Sequence, residues 1–156
     1  MSKTLNLFVS HKGEDESKID AFKNLMAKKG YDFRDSSIRE SEPNQAHSKE
    51  YIKNGILKPA MDWAGTVVVL IGKDTHESDW VDWEINYAIQ HNKRIVGVYL
   101  PGESNSTLPD ALRDFGDACV SWNADKIDEA IRNNKSIWED ENGNIISPNN
   151  TNRGTC

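Results

Sequence analysis

Val67-Val68-Val69-Leu70-Ile71-Gly72 runs, across Lys73 and Asp74, into Thr75-His76-Glu77-Ser78-Asp79-Trp80-Val81-Asp82-Trp83-Glu84-Ile85. The unbroken apolar run reads as a strand buried on both faces, the pattern of a central strand in a parallel sheet. Ser78 is a good N-cap for the segment after it, because its hydroxyl can accept from an orphan backbone N–H one turn on. Val81, Ile85, Ala88 and Ile89 recur at helical spacing and form that helix's buried stripe. Trp80 and Glu84 are four apart and sit one above the other on a different face. A carboxylate and an indole thus meet at a strand-to-helix crevice, a plausible ligand site.

The same alternation of strand and helix extends to either side. Leu5-Asn6-Leu7-Phe8-Val9-Ser10 reads as the first strand, and Ile19, Phe22, Leu25 and Met26 mark the helix after it, stopped by Gly30. Tyr31-Asp32-Phe33-Arg34 is a short second strand. A helix carrying Tyr51, Ile52, Ile56 and Leu57 follows, and Pro59 is expected to end or kink it. Lys93 to Leu100 is the fourth strand and Ala118 to Trp122 the fifth. Short helices are expected over Leu108–Phe115 and Ala124–Asn133, the latter with Ile127, Ala130 and Ile131 inward. Five strands alternating with helices predict an α/β fold: a flavodoxin-like parallel sheet of order 2-1-3-4-5, with helices on both faces. Ligands of such sheets bind beyond the carboxyl ends of the strands, at the switch between strands one and three. Ser10 and His11 end strand one there, and the Trp80–Glu84 helix begins there.

The chain has 156 residues and a formal net charge of -6. That suits one principal domain, read as residues 1–135, and argues against non-specific binding to nucleic acid or to an anionic membrane. Residues 136–156 change character. Ile137-Trp138 and Ile145-Ile146 flank Asn142-Gly143, a possible small hairpin, and the Asn-rich Pro148–Cys156 has little to bury and is expected to be flexible. The two cysteines, Cys119 and Cys156, make no disulfide framework, and no Cys/His spacing suggests a metal site. No segment has the length of a signal peptide core or a membrane span, so the cytoplasm is the expected compartment.

Several pieces taken together resemble a TIR domain. Leu7-Phe8-Val9-Ser10-His11-Lys12-Gly13-Glu14-Asp15 is similar to that family's first strand and loop. Ser78-x-Trp80-x-x-x-Glu84 is similar to its Ser-x-Trp-Cys-x-x-Glu helix motif, with Val81 in place of Cys. With Phe33-Arg34-Asp35-Ser36-Ser37-Ile38 and Ile95-Val96-Gly97-Val98, these pieces resemble most the bacterial TIR-like branch of Thoeris anti-phage defence (ThsB-like), over roughly Leu5 to Ile131. Arg39-Glu40-Ser41-Glu42-Pro43-Asn44-Gln45 departs from the Arg-Asp-x-x-Pro-Gly type of loop found in many signalling members. Assembly contacts of animal members therefore do not carry over.

The resemblance implies NAD+ processing, with NAD+ as a substrate and no resident cofactor. The nicotinamide–ribose bond is cut, and a cyclic or conjugated ADP-ribose messenger reaches a downstream effector by diffusion. Glu84 is then the catalytic carboxylate, stabilising an oxocarbenium-like ribose. Trp80 stacks on a base and helps to exclude water. Ser10, His11, Lys12, Asp35 and Ser36 are candidate substrate contacts. Other TIR copies are expected partners through self-assembly.

Each residue also has a plainer reading. Alone, Glu84 is a solvated helix glutamate, Trp80 and Trp83 are packing, His11 caps a turn, and Asp35 and Ser36 are turn residues. Two other functions fit the same fold. One is a non-catalytic TIR interaction module, and the other an enzyme like the nucleoside deoxyribosyltransferases, which also sets a glutamate on an N-glycosidic bond. A response-regulator receiver is excluded because Ser10-His11 stands where an acidic pair is required. There is no Walker loop and no Gly-x-Gly-x-x-Gly.

Overall fold

The computed structural model describes residues 5–12, 17–35, 53–102, 107–132, 136–140 and 142–146. Five strands form the sheet: β1 (Leu5–Ser10), β2 (Tyr31–Asp35), β3 (Thr66–Ile71), β4 (Arg94–Tyr99) and β5 (Ala118–Val120). Their order is β2-β1-β3-β4-β5, and every pair is parallel. The expected flavodoxin-like topology is therefore the observed one.

Side-chain parity along β3 builds two cores. Val67, Val69 and Ile71 point to one face, where they meet Phe8, Leu57, Met61, Val81, Ile85 and Leu112. Val68 and Leu70 point to the other, against Leu7, Val9, Phe22, Met26 and Ile127. The first face is covered by α2 (Lys58–Trp63), α3 (Asp79–Gln90) and α4 (Asp110–Phe115). The second is covered by α1 (Ser17–Met26) and α5 (Ala124–Arg132). Gly97 in β4 makes room for α4, since a Cβ there would lie 2.8 Å from Leu112 Cδ2 and 2.9 Å from Ile71 Cδ1.

Pro59, expected to end or kink its helix, falls where one helical form gives way to another. Lys53–Leu57 forms π-type turns, and the chain changes to α-helix at Lys58, with Pro59 in the first turn. A proline cannot supply the backbone N–H that a continuing turn would use, and the change of helix type falls beside it. Tyr51, Ile52 and the polar segment before them lie outside the described residues, as does the Pro148–Cys156 tail. Among the described residues no helix is long and apolar enough to cross a membrane.

Beyond β5 the chain adds one further rung to the sheet. Trp138 pairs in parallel with Cys119: the Cys119 N–H donates to the Ile137 carbonyl at 2.8 Å, and the Glu139 N–H to the Cys119 carbonyl at 2.8 Å. The chain then reverses at Asn142-Gly143, where Gly143 takes φ +87° and Asp140 Oδ1 accepts from the Asn142 and Asn144 backbone N–H groups, each at 2.9 Å. Trp138 is buried in the first core and Glu139 is buried beside it. Glu139 accepts from Ser121 N at 2.9 Å and Ser121 Oγ at 3.0 Å, and pairs with Lys126 Nζ at 2.8 Å.

Burial pushes the Glu139 carboxyl up, and the Lys126 and Ser121 bonds together outweigh it, leaving it below the usual carboxylate range. A carboxyl held low in the fold stabilises it above its unfolded value, and that contribution is lost as pH falls through the folded value. Acidification below the ordinary value of 4.5 is therefore expected to loosen this segment. The Trp138 indole N–H signal should shift in that range in the wild type and lose this step in Glu139→Gln. A wild-type signal that stays unchanged until global unfolding would contradict the assignment.

Candidate functional site

The loop from β3 to α3 is tied down by its own polar groups. The Gly72 N–H donates to Thr75 Oγ1 at 2.8 Å, and the Ser78 N–H to the Thr75 carbonyl at 3.0 Å. Ser78 then caps α3 as expected, its Oγ accepting from the Val81 N–H at 3.2 Å. This fixes where the first turns of α3 stand relative to the carboxyl edge of β3. Val81, Ile85 and Ala88 bury as the stripe, and Ile89 packs against the core while half-buried.

Glu84 is also fully buried, at 0 % exposure, although its neighbours in the sequence gave no reason to place a carboxylate inside. Its partner is Ser10, the last residue of β1, which is likewise buried. Ser10 Oγ donates to Glu84 Oε1 at 2.5 Å, the short end of the range for a hydroxyl on a carboxylate. Ser10 stands opposite Val69 in the β1–β3 register, so the contact lies where the strand order reverses. Ser10 and Glu84 are 74 positions apart in the chain and meet at the ligand edge of the sheet.

The other candidates divide. His11 is buried next to Ser10, and its Nδ1 lies 2.8 Å from the Lys12 carbonyl. A carbonyl only accepts, so Nδ1 carries the proton. Lys12 is half-buried at the same edge. Asp35 ends β2 one strand further out, is buried, and pairs with Lys23 Nζ of α1 at 3.0 Å. Ser36 lies outside the described residues.

Trp80, half-buried, faces a pocket of about 240 Å³ that it lines together with Lys53, Asp79 and Trp83. Trp83 stacks on Tyr87 with ring centroids 5.4 Å apart, and Tyr87 stacks on His91 at 4.0 Å. Lys53 Nζ stands over the Trp83 ring, 5.4 Å from its centroid. Burial pushes the Tyr87 hydroxyl up to about 12, helped by its hydrogen bond to Asp62. The spacing of Trp83, Tyr87 and His91 was readable as one helix face, whereas the approach of Lys53 was not. A larger cleft of about 400 Å³, lined by Lys93, Arg94, Phe115 and Asp117 among others, opens at the amino ends of β4 and β5. That is the opposite edge from the one where parallel sheets bind ligands. A third pocket, of about 240 Å³, is lined by His76, Asp82, Asn86, Asp110 and Ala111. Burial raises the Asp82 carboxyl, and Asp79 and Asp110 add to the effect. No group of three or more His, Cys, Asp or Glu able to hold a metal occurs among the described residues.

Several solved structures share the fold, among them these two. One is a 2-deoxyribosyltransferase from Bacillus psychrosaccharolyticus, with TM-score 0.58 and 13% identity over 79% of this chain and 90% of that one. The other is a conserved protein from Enterococcus faecalis V583, with TM-score 0.50 and 10% identity over 88% of this chain and 82% of that one. A search of curated proteins found no match. Residues 8–105 match the family described as Thoeris protein ThsB, TIR-like domain. This span includes the end of β1, all of β3 and α3, and both members of the Ser10–Glu84 pair. Well over half of the chain carries that match, and the protein belongs to the ThsB TIR-like family.

Proposed function

We propose that the protein is an NAD+-processing TIR enzyme that cuts the nicotinamide–ribose bond and makes an ADP-ribose-type messenger in Thoeris anti-phage defence. The observation that carries this reading is the Ser10–Glu84 pair, buried at the β1–β3 switch point of a ThsB TIR-like chain. In the reaction the bond from ribose C1′ to the nicotinamide ring nitrogen breaks, and its electron pair neutralises the ring's positive charge. The ribose carbon becomes oxocarbenium-like and is attacked by a hydroxyl or ring nitrogen, which releases a proton. Attack from within the same molecule gives a cyclic product, a second molecule gives a conjugate, and water gives ADP-ribose. A carboxylate preorganised near that carbon stabilises the charge as it develops. Trp80, at the mouth of the neighbouring pocket, supplies a stacking surface that keeps water from the same carbon.

Glu84 has no exposed surface in the isolated chain, so a substrate reaches it only when its cover parts. This supports an enzyme that is weakly active alone and is switched on by assembly with other TIR copies or by a trigger. Its product would diffuse to a separate effector.

The test is nicotinamide release from NAD+, followed by chromatography over about 10 nM to about 100 µM protein. Turnover per molecule is expected to rise with concentration. Strict proportionality across that range would remove the assembly step. No release at any concentration, or with the activating signal, would favour a non-catalytic interaction module. Exchange of bases between 2′-deoxynucleosides without NAD+ cleavage would favour a deoxyribosyltransferase-like enzyme, the activity named for the structural neighbour.

A further inference from the structure

The cleft of about 400 Å³ at the amino ends of β4 and β5 lies on the edge of the sheet opposite Glu84, and nothing in the proposed reaction uses it. Ile89, Ile95 and Phe115 give it an apolar lining. Lys93 and Arg94 bring two cations to it, against the single carboxylate of Asp117.

The backbone holds this cleft in shape. The Lys93 N–H donates to the Ala88 carbonyl at 2.9 Å, which closes the turn from α3 into β4. Asp117 is fixed to β4 twice: its N–H donates to the Ile95 carbonyl at 2.8 Å, and its Oδ2 accepts from the Ile95 N–H at 2.8 Å. The turn from α4 into β5 is tight, since a Cβ at Gly116 would lie 2.5 Å from the Leu112 carbonyl oxygen. Phe115 is thereby carried on a fixed turn. A rim set in advance costs little ordering when a partner binds.

Charge and exposure select the partner. The Asp117 carboxylate is spent on Ile95 and stands 4.0 Å from Arg94 Nη1. Lys93 Nζ donates to the neutral Asp62 carbonyl at 3.2 Å, and among the described residues no carboxylate lies within ion-pairing distance of it. Two cations thus gather on a chain of net charge -6. Their place beside the end of α3 suits its dipole, yet that role requires no aromatic. Phe115 is 65 % exposed, whereas Phe8, Phe22 and Phe33 are buried or half-buried. A ring left this open suits a surface covered by another chain, where an aromatic beside a cation is a common anchor. A small molecule is gripped by an enclosed ring instead.

We propose that this cleft docks an acidic segment of a partner protein, in which an apolar side chain stands between carboxylates. The apolar side chain packs on Phe115 and the isoleucines, and the carboxylates meet Lys93 and Arg94. The assignment does not rest on NAD+ processing, and occupancy leaves the Glu84 edge open.

The probe is the peptide acetyl-Asp-Phe-Asp-amide, titrated into the full chain and followed by backbone amide signals. At up to about 10 mM it should move the signals of Asn92, Lys93, Phe115 and Asp117 in a saturable way and leave those of Ser78 and Val81, at the other edge, in place. Acetyl-Lys-Phe-Lys-amide should bind about tenfold more weakly or worse, although the negative charge of the whole chain favours it. The sign of the preference is therefore a property of the cleft. Acetyl-Asp-Ala-Asp-amide, without the anchor, should also lose about tenfold. Phe115→Ala, at an exposed position, and Lys93→Gln should each weaken the acidic peptide about tenfold, with the remaining amide signals showing an intact fold. The assignment is overturned if the acidic peptide leaves these signals unmoved, if the basic peptide binds as well, or if Phe115→Ala binds like the wild type. It is overturned equally if the same signals shift with protein concentration alone, which would make the occupant a second copy of the chain. Nicotinamide release enters none of these outcomes, so the proposed activity stands or falls separately.

Discussion

Glu84→Gln is expected to lower the rate of nicotinamide release by about a hundredfold or more, the cost of deleting one preorganised electrostatic group. The carboxamide keeps the size of the side chain, and its oxygen can still accept from Ser10 Oγ, so the buried contact seen at 2.5 Å survives. What is lost is the negative charge that the proposed mechanism sets against the ribose carbon. That charge matters little while NAD+ is intact and most as the nicotinamide departs, so kcat should fall far more than NAD+ affinity. Burial strengthens the effect, because a fully enclosed carboxylate acts through few intervening waters. Steady-state nicotinamide release and a separate NAD+ binding isotherm, on wild type and variant at equal concentration, decide the matter. Wild-type turnover in the variant would remove Glu84 from the mechanism. A loss confined to affinity would make it a binding residue.

Ser10→Ala is the second large effect and tests whether the Ser10–Glu84 contact serves the reaction or only the fold. A hydrogen bond to a charged group contributes about 1.5–3 kcal/mol, and removing a buried donor leaves its acceptor undersatisfied. Urea denaturation of Ser10→Ala should show a stability loss of that order. If the hydroxyl also holds Glu84 at the angle the ribose carbon requires, kcat should drop about tenfold or more beyond any change in the folded fraction. KM should change little, since Ser10 is spent on Glu84 at the sheet edge. Ser10→Thr restores a hydroxyl at the same Cβ and should recover most of kcat. Stability lost with kcat intact would make the pair a structural pin.

The two readings that decided the site came from different sources. The unbroken apolar run of β3 marked a strand buried on both faces, and Val67, Val69 and Ile71 pack into one core while Val68 and Leu70 pack into the other. Helical spacing after Ser78 placed Trp80 and Glu84 one turn apart, and the Ser78 cap forms as its chemistry dictates. The order 2-1-3-4-5 was the flavodoxin-like expectation for five alternating strands, and that expectation set the switch point beside Ser10. These are local or topological consequences of patterning, and one chain carries them in full.

Burial of Glu84 was not legible. Its sequence neighbours assign it to a polar face, and only the approach of Ser10 from 74 positions away converts that face into an interior. The same holds for Lys53 over Trp83, for Asp35 drawn to Lys23, and for Trp138 added beside Cys119. Each joins segments that no short-range period relates, and each depends on distances set when helices dock on the sheet. The chain by itself determined the strands, their order, the helix that carries the carboxylate and the edge where a ligand would bind. The tertiary structure decided that the carboxylate is enclosed, that a serine on another strand holds it, and that a lysine stands over the neighbouring indole. Side-chain meeting points of this kind are settled by packing across the sequence, where local propensity has no reach.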